Sequence, residues 1–323
     1  MNEKEIPPQF REDNLSEETK TLISSLPSYK DSLGNLYNYR ECWYYPNTLQ
    51  GVLNFERGFE PQKTDIILAS YPKSGTTWLK ALTIALFERL KNRSSDDLHP
   101  LQSHNPHGIV PVLEIGLYLK TSTPDLTRFS TPRVFSTHMP FHTLQLPLKD
   151  TPCKIVYVCR NVKDVLVSLW YFKCVQLQKK VDMEPLFESL CEGVGSCGPI
   201  WEHVLSYWRG CLEDPKQVLF MRYEEMKSEP CAQVKRLAEF LGCPFTEEEE
   251  EEGSVDKILE LCSLRNLSGL EINKSGKNLN NLPYSAFFRK GEVGDFKNHL
   301  TPEMENKIDM IIQEKYKGSG LKF

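Results

Sequence analysis

The fold is decided by residues 65–80, which read DIILASYPKSGTTWLK. The apolar run at residues 66–69 starts with two β-branched residues, which predicts a buried strand of a parallel sheet. Pro72 cannot donate a hydrogen bond to a sheet, so the strand ends before it. From Thr76 onward the apolar residues fall at helical spacing. The stretch therefore predicts a strand, a short loop and a helix.

The loop between this strand and this helix has the residue types of an anion-binding loop. Gly75 permits a backbone conformation that is closed to other residues. The N–H groups of the helix start, the neighbouring hydroxyls and the Lys73 ammonium are then expected to converge on a phosphate. The usual nucleotide triphosphate loop places its Lys after a second Gly, whereas Lys73 precedes the single Gly here. For these residues alone, a turn with a solvated Lys remains the alternative.

Three further apolar segments are predicted to be strands of the same sheet: residues 134–137, 154–159 and 218–223. His138 follows the first segment, Arg160 follows the second and Tyr223 ends the third. In open α/β sheets, ligands bind at the carboxyl ends of the strands. Predicted helices separate the strands, so we expect an α/β protein: a single-domain, three-layer, P-loop-like fold with a central parallel sheet flanked by helices.

The length and composition agree with one globular unit. The chain has 323 residues, of which 40% are hydrophobic and 26% are charged. We find no internal repeat and no Pro/Ser-rich linker. The sequence therefore predicts a loosely ordered, polar N-terminal segment at residues 1–20 and a single domain over residues 21–323.

Charge, apolar runs and cysteines argue against several classes of partner. The net charge of −5 disfavours nucleic acid, and no run reaches the ~18 apolar residues of a membrane helix. The charged N-terminus lacks the apolar core of a secretory signal, so we expect a cytoplasmic protein with ten reduced cysteines. No C-x-x-C pair or H-E-x-x-H motif occurs, so no metal is expected.

The complete string YPKSGTTWL resembles the 5′-phosphosulfate loop of the cytosolic sulfotransferases, which use 3′-phosphoadenosine 5′-phosphosulfate (PAPS) as sulfuryl donor. Three further motifs of that family follow in the expected order: STHMP at 136–140, YVCRNVKDVLVS at 157–168 and RKG at 289–291. The resemblance spans roughly residues 60–300. It implies transfer of a sulfuryl group from PAPS to the hydroxyl of a small acceptor, without a metal.

The resemblance assigns catalytic roles to two residues. His138 corresponds to the family's general base, and imidazole titrates near working pH. Lys73 corresponds to the cation that stabilises the leaving phosphate. Animal members often carry a Lys two residues before the base, where this chain has Ser136, so a further cation is not expected there.

The resemblance also assigns the donor-binding residues, each of which has a plainer reading in isolation. Without it, Arg160 would be read as half of an ion pair, Ser168 as a polar helix residue and Tyr223 as a packing aromatic. The resemblance implies that the phosphosulfate is bound by Lys73, Ser74, Gly75, Thr76, Thr77 and Trp78, with Trp78 near the adenine. It implies that Tyr223 contacts the adenosine. It implies that the 3′-phosphate is bound by Arg160, Ser168, Arg289, Lys290 and Gly291.

Other segments resemble the plant branch of the family, whose members sulfate flavonoids, brassinosteroids and related molecules. We expect a flavonoid-like or brassinosteroid-like acceptor, held by aromatic residues: Tyr71, Phe141, Tyr171 and those near Trp43. In the dimer motif of many animal members, this chain has Pro302 in place of Val and Asn306 in place of Glu. Because Pro removes an N–H and favours a helix start, the sequence predicts a monomer.

Two alternatives compete with the sulfotransferase prediction. A P-loop nucleotide kinase or other phosphotransferase would need a Mg²⁺ ligand at a strand end, for which Glu224 and Glu225 are the only candidates. A non-catalytic nucleotide-binding protein would have no need of both Lys73 and His138.

Overall fold

The computed structural model of the chain describes residues 7–91, 98–278 and 281–322. Its strands are β1 (Ser28–Lys30), β2 (Asn35–Tyr39), β3 (Cys42–Tyr44), β4 (Ile66–Ser70), β5 (Val134–Thr137), β6 (Lys154–Cys159) and β7 (Val218–Arg222). Its helices are α1 (Glu17–Ile23), α2 (Pro46–Gly58), α3 (Thr76–Arg89), α4 (Pro100–Ser103), α5 (Pro106–Ile109), α6 (Phe141–Leu148), α7 (Val162–Gln176), α8 (Glu184–Cys191), α9 (Ile200–Glu213), α10 (Tyr223–Ser228), α11 (Pro230–Leu241), α12 (Glu247–Glu251), α13 (Ser254–Leu261), α14 (Leu264–Gly269), α15 (Glu271–Ser275) and α16 (Pro302–Lys315).

A four-stranded parallel sheet forms the centre of the fold, in the order β5-β4-β6-β7. Alternate side chains of each strand point to opposite faces, so the sheet divides the core in two. Tyr157 and Phe220 pack on the face covered by α2, α7 and α9, whereas Val156 and Met221 pack on the face covered by α3, α11 and α13. This arrangement confirms the predicted α/β fold with helices on both faces of a parallel sheet.

A second sheet, which the sequence did not predict, joins β1, β2 and β3 in antiparallel order. For this part of the chain the sequence predicted only that the aromatic residues near Trp43 hold the acceptor. The strands are short and half-buried, so no apolar alternation identifies them. Tyr44 at the end of β3 is fully buried.

The N-terminal residues that the structure describes are fixed to α2. Buried polar side chains of α2 hold the segment: the Asn47 amide donates to Pro8 O at 2.7 Å, and the Thr48 hydroxyl donates to Gln9 O at 3.0 Å. The backbone N–H of Ser16, the N-cap of α1, donates to the side chain of Gln50. Residues 7–16 of the predicted segment 1–20 therefore contact α2, and residues 1–6 lie outside the described ranges.

None of the helices in the described ranges combines the length and the apolar character that crossing a membrane requires. In the same ranges no three His, Cys, Asp or Glu side chains are grouped so that they could hold a metal ion.

Candidate active site

The carboxyl ends of the four parallel strands lie at one edge of the sheet. The loop after β4 contains Lys73, His138 follows β5, Arg160 follows β6 and Tyr223 follows β7. These residues line one cavity of about 1250 Å³. All but two of the other predicted site residues also line the cavity: Gly75, Thr76, Thr77, Trp78, Ser168, Arg289 and Gly291. Ser74 is buried beneath the loop, and Lys290 is exposed outside the cavity.

The loop between β4 and α3 is shaped to leave helix N–H groups free. Gly75 has φ +118°, and a Cβ there would lie 2.9 Å from Cδ2 of Tyr223. Lys73 also lies in the left-handed region, with φ +70°. Thr76 begins α3 with no side-chain cap, because its neighbour Gly75 has no side chain to supply one. The first-turn N–H groups are therefore available to an anionic ligand.

Lys73 extends over the aromatic ring of Phe172, which also lines the cavity. Its Nζ lies 4.0 Å from the ring centroid of Phe172 and 3.4 Å from the carbonyl oxygen of Ala286. Burial, together with Arg289 and Arg160 nearby, lowers the pKa of the ammonium to about 7. A bound anion would favour the charged form, so this site is electrostatically suited to a phosphate-like ligand.

His138 is held in one tautomer with its reactive nitrogen at the cavity. Nδ1 lies 2.7 Å from Ser70 O, and because a carbonyl oxygen only accepts, Nδ1 carries the proton. The lone pair of Nε2 is then free to accept a proton. Burial lowers the pKa of the imidazole to about 4, a direction that Lys80 and Lys73 reinforce and the bond to Ser70 opposes. His138 is therefore a neutral imidazole near neutral pH, as a general base must be.

Glu114 orients the backbone around His138, and the sequence analysis did not identify it. It is 1% exposed and lies in the π-helical turn Leu113–Leu117. Its carboxylate accepts hydrogen bonds from the His138 N–H at 2.8 Å and from the Thr137 hydroxyl at 2.9 Å. A lone carboxylate within the apolar stretch 112–119 was the sequence signal that could have identified it. The structure gives Glu114 the role of fixing the strand end that presents the imidazole.

Arg160 has unused hydrogen-bonding capacity at the sheet edge. It is 6% exposed, its guanidinium lies over the Tyr223 ring at 4.4 Å, and its terminal nitrogen donates to Glu292 O. Its Nε is buried and has no hydrogen-bond partner among the described residues. Asp164 lies 3.4 Å away and also accepts from the N–H of Gly294. A cation with an unsatisfied buried donor is suited to an anionic ligand.

The segment after the 3-10 turn Tyr284–Phe287 carries two more cations, of which only one reaches the cavity. Arg289 lines the cavity, with its guanidinium 5.0 Å from the Tyr171 ring. Lys290 turns away and binds Asp295 Oδ1 at 2.7 Å. Burial opposes ionisation of Asp295, but hydrogen bonds from Lys290, Arg289 and Asn298 hold its pKa well below the usual range. Asp295 therefore fixes both cations, and only Arg289 faces the cavity.

Two aromatic residues form one wall of the cavity near these cations. Trp78 and Tyr223 meet edge to face, with ring centroids 5.7 Å apart. The Tyr223 hydroxyl donates to the carbonyl of Gly291 at 3.0 Å, which ties the C-terminal segment to the sheet. Gly291 has φ +64°, a conformation that favours glycine. The wall offers aromatic surface on which a planar ring can stack.

The far part of the cavity is mainly apolar, and only some of the expected aromatic residues line it. Tyr71 and Tyr45 line the cavity, but Trp43, Phe141 and Tyr171 do not. Phe141 instead packs in the core against Tyr207, with ring centroids 5.3 Å apart. The apolar lining includes Phe10, Leu33, Leu36, Leu117, Leu119, Leu190 and Val194. Aliphatic residues and Phe10 from distant segments thus line the cavity beside Tyr45 and Tyr71, in place of the expected Trp43, Phe141 and Tyr171.

The two carboxylates proposed as metal ligands in the phosphotransferase alternative are used otherwise. Glu224 accepts the backbone N–H of Asn161 at 2.8 Å, and Glu225 lies 3.4 Å from Arg222. Neither lines the main cavity. The geometry therefore gives no support to a Mg²⁺ site at the end of β7.

Comparisons with known proteins agree with this geometry. A family model described as the sulfotransferase domain matches residues 63–320. The chain is 66% identical to cytosolic sulfotransferase 1 of Arabidopsis thaliana, covering 99% of this chain and 98% of that protein. It is 64% identical to cytosolic sulfotransferase 8 of the same plant, over the full length of both.

Two solved structures share the fold. An Arabidopsis thaliana sulphotransferase crystal structure is 40% identical, with a TM-score of 0.75, and the match covers 96% of this chain and 98% of that one. A mouse sulfotransferase complexed with PAP is 27% identical, with a TM-score of 0.67, and the match covers 88% of this chain and 96% of that one.

Proposed function

Since this chain belongs to the sulfotransferase domain family, we propose that it transfers the sulfuryl group of PAPS to a hydroxyl of a small apolar acceptor. The observation that carries this proposal is the shared cavity. A phosphate loop with Lys73 and a free helix N-terminus opens on the same space as a neutral His138 with Nε2 unprotonated. Positioned anion binding and a positioned base are what sulfuryl transfer requires.

In the proposed reaction, His138 Nε2 accepts the acceptor's hydroxyl proton while the hydroxyl oxygen attacks sulfur. The bond between sulfur and the bridging oxygen breaks, and the phosphate of adenosine 3′,5′-bisphosphate (PAP) leaves with the bonding electron pair. Lys73 stabilises the negative charge that develops on that oxygen. Glu114 keeps the strand end of His138 in place through its bond to the backbone N–H.

Binding of the 3′-phosphate is proposed for Arg160, Ser168 and Arg289, which converge on the cavity from β6, α7 and the C-terminal segment. The unsatisfied Nε of Arg160 supports this assignment. The related mouse enzyme was solved with PAP, and a purine is suited to the wall formed by Trp78 and Tyr223. Lys290 lies outside the cavity, so we propose that it acts indirectly. It binds Asp295, the carboxylate that also binds Arg289.

For the acceptor we propose a flavonoid or a brassinosteroid. The apolar lining beyond His138 is suited to a flat, largely apolar molecule with a hydroxyl at one end. The test is transfer of labelled sulfate from PAPS to a panel of flavonols, brassinosteroids and hydroxyjasmonate, with EDTA present. Labelled product supports the reaction and ranks the acceptors. Failure of every acceptor, together with no PAP binding, would contradict the proposed function.

We expect a bell-shaped dependence of kcat/KM on pH. His138 must be neutral, and burial lowers its pKa to about 4, so the acid limb should lie well below the ordinary histidine value of about 6.5. Lys73 must be charged, and burial lowers its pKa to about 7, so activity of the free enzyme should fall as the pH rises through that value. An acid limb at or above about pH 6.5 would contradict the assigned state of His138.

Arg289→Ala should weaken donor binding more than it lowers kcat, because Arg289 faces the cavity and its charge meets the 3′-phosphate. Loss of a charged hydrogen bond corresponds to roughly 10–100-fold in affinity. Calorimetric titration with PAP and with AMP, which lacks the 3′-phosphate, checks this expectation. The variant should lose preference for PAP, while affinity for AMP stays nearly constant. Equal losses for both ligands would show that Arg289 does not bind the 3′-phosphate.

We propose that the protein is a monomer. Pro302 begins α16 with Thr301 as its N-cap, as the sequence predicted, so the segment aligned with the animal dimer motif is used as a helix start. Light scattering coupled to size-exclusion chromatography should give the mass of one chain at micromolar concentration. A mass of two chains would contradict the monomer.

We also propose that the enzyme works in the cytoplasm. The Arabidopsis relatives are named cytosolic, and all ten cysteines of this chain are free thiols. Reduced cysteines are the usual state in that compartment.

A further inference from the structure

Lys80 on α3 is a buried cation that the proposed reaction does not use. Its side chain is 0% exposed, and its neighbours Leu79 and Ala81 are fully buried. No carboxylate of the described residues lies within ion-pair distance of its Nζ; Glu114 acts on it only at longer range. Burying an ammonium group without an ion pair costs several kcal/mol. The Lys80 ammonium is instead held by hydrogen bonds.

Those hydrogen bonds lead to the phosphate loop. Lys80 Nζ donates to Val110 O at 2.8 Å and contacts His107 Nδ1 at 3.1 Å. The other ring nitrogen, His107 Nε2, lies 2.8 Å from the Thr77 hydroxyl. Thr77 belongs to the first turn of α3 and lines the cavity. A continuous chain thus connects the buried ammonium to the loop proposed to bind the phosphosulfate.

The chemistry of these groups fixes the direction of each hydrogen bond. Burial lowers the pKa of Lys80 to about 7, a shift that Glu114 opposes. In its charged form the Lys80 ammonium only donates, so His107 Nδ1 must accept. Burial, with Lys80, Lys73 and His138 nearby, lowers the pKa of His107 well below its usual value, so the ring is neutral and Nε2 carries its proton. Nε2–H therefore donates to the Thr77 oxygen. The Thr77 proton has no other acceptor in the described part of the chain, and it is free to donate into the cavity.

The His107 imidazole, which links Lys80 to Thr77, is held in place by further contacts. Its ring stacks on Phe287, with centroids 4.2 Å apart. Its backbone N–H donates to the side chain of Asn105 at 2.8 Å, and the Asn105 amide in turn donates to Asn273 at 2.7 Å. Rotation of the ring would break its stacking on Phe287, and the bond to Asn105 fixes the backbone that carries the ring.

We propose that Lys80 is a positioning residue which, through His107, directs the Thr77 hydroxyl proton toward the phosphosulfate of the donor. This inference rests on the proposed function, since it takes PAPS as the ligand of the loop. Without the Lys80 ammonium, His107 could carry its proton on Nδ1, and Thr77 would then donate to Nε2. The donor would lose one hydrogen bond although Thr77 itself is unchanged.

The first test is direct and needs no variant of Lys80. Nitrogen-15 NMR of the wild-type protein with labelled histidine reports which ring nitrogen of His107 is protonated, and His107→Gln identifies its signals among the seven histidines. We expect a neutral ring with the proton on Nε2, both in the free protein and with PAP bound. A proton on Nδ1, or an imidazolium, would overturn the inference.

The second test is a double-mutant cycle with PAP binding and donor kcat/KM as readouts. Lys80→Met and Thr77→Val should each weaken donor use by about tenfold, with the acceptor KM unchanged. If Lys80 acts through Thr77, adding Lys80→Met to Thr77→Val should have little further effect. Thr77→Ser keeps the hydroxyl, so in that background Lys80→Met should again weaken donor use by about tenfold. Additive losses in the Thr77→Val background would overturn the inference, because a merely structural Lys80 would act in every background.

The same measurements separate the two proposals. If wild-type protein does not bind PAP, the proposed function fails and this inference fails with it. If PAP binds normally but His107 carries the other proton, or the cycle is additive, this inference alone is overturned.

Discussion

The His138→Ala variant is expected to lose about 10²–10⁴-fold in kcat, which is the contribution of a positioned general base. The structure gives the physical reason. Nδ1 is committed to Ser70 O, so Nε2 is the nitrogen available for the acceptor's proton, and burial keeps the ring neutral. Alanine removes this proton acceptor and leaves the strand end intact, because Glu114 binds the backbone N–H rather than the ring.

The variant should separate turnover from donor binding. The affinity for PAP should stay within about twofold of wild type, since the base contacts the acceptor and not the phosphates. His142→Ala is the matched control. That residue lies four positions along on α6, outside the cavity lining, with Nε2 donating to Arg40 O. Full activity of His138→Ala, or an equal loss in His142→Ala, would contradict the role of His138.

The Lys73→Met variant is expected to lose about 10²–10³-fold in kcat, because one preorganised charge on the leaving oxygen is removed. Methionine keeps the unbranched side chain and the Cβ of lysine but lacks the terminal ammonium. It therefore faces the same positive φ of +70° and does not relieve backbone strain that lysine carries. The loss can then be attributed to charge. Stopped-flow or quenched-flow measurement of a single turnover isolates the chemical step from product release.

Lys63→Met provides the control for general charge effects, because Lys63 is exposed and lies outside the cavity lining. It should retain wild-type turnover. The Lys73→Met loss should also diminish with donors whose leaving group is less basic, since these need less stabilisation of the departing oxygen. An unchanged single-turnover rate in Lys73→Met would remove Lys73 from the leaving-group role.

The central sheet could be predicted from the sequence because its strands are short, continuous apolar runs. The bounds predicted for β5 and β6 agree with the structure, and those for β4 and β7 differ by one residue. Parallel strands align their carboxyl ends at one edge, so the positions of His138 and Arg160 followed from the pattern alone. Their roles did not follow from the pattern, and were implied only by the resemblance to a family.

Other features depend on contacts between distant segments, which no local pattern contains. His107 lies in a Pro/His-rich loop, and only the fold brings it between Lys80 and Thr77. The direction of Lys290 is likewise set by Asp295, a buried carboxylate that a local reading of RKG does not reveal. The antiparallel sheet was missed because its strands are too short and too exposed to show an alternating pattern.

The distribution of the site along the chain has a consequence for biosynthesis. Lys73 Nζ contacts the carbonyl of Ala286, a separation of 213 residues, and Gly291 binds Tyr223. A chain emerging from the ribosome can therefore form the sheet edge and its phosphate loop long before the segment that closes over them exists. Contacts of such high sequence separation form slowly. A newly made molecule therefore completes this site only after the segment with Ala286 and Gly291 has been synthesised and has docked.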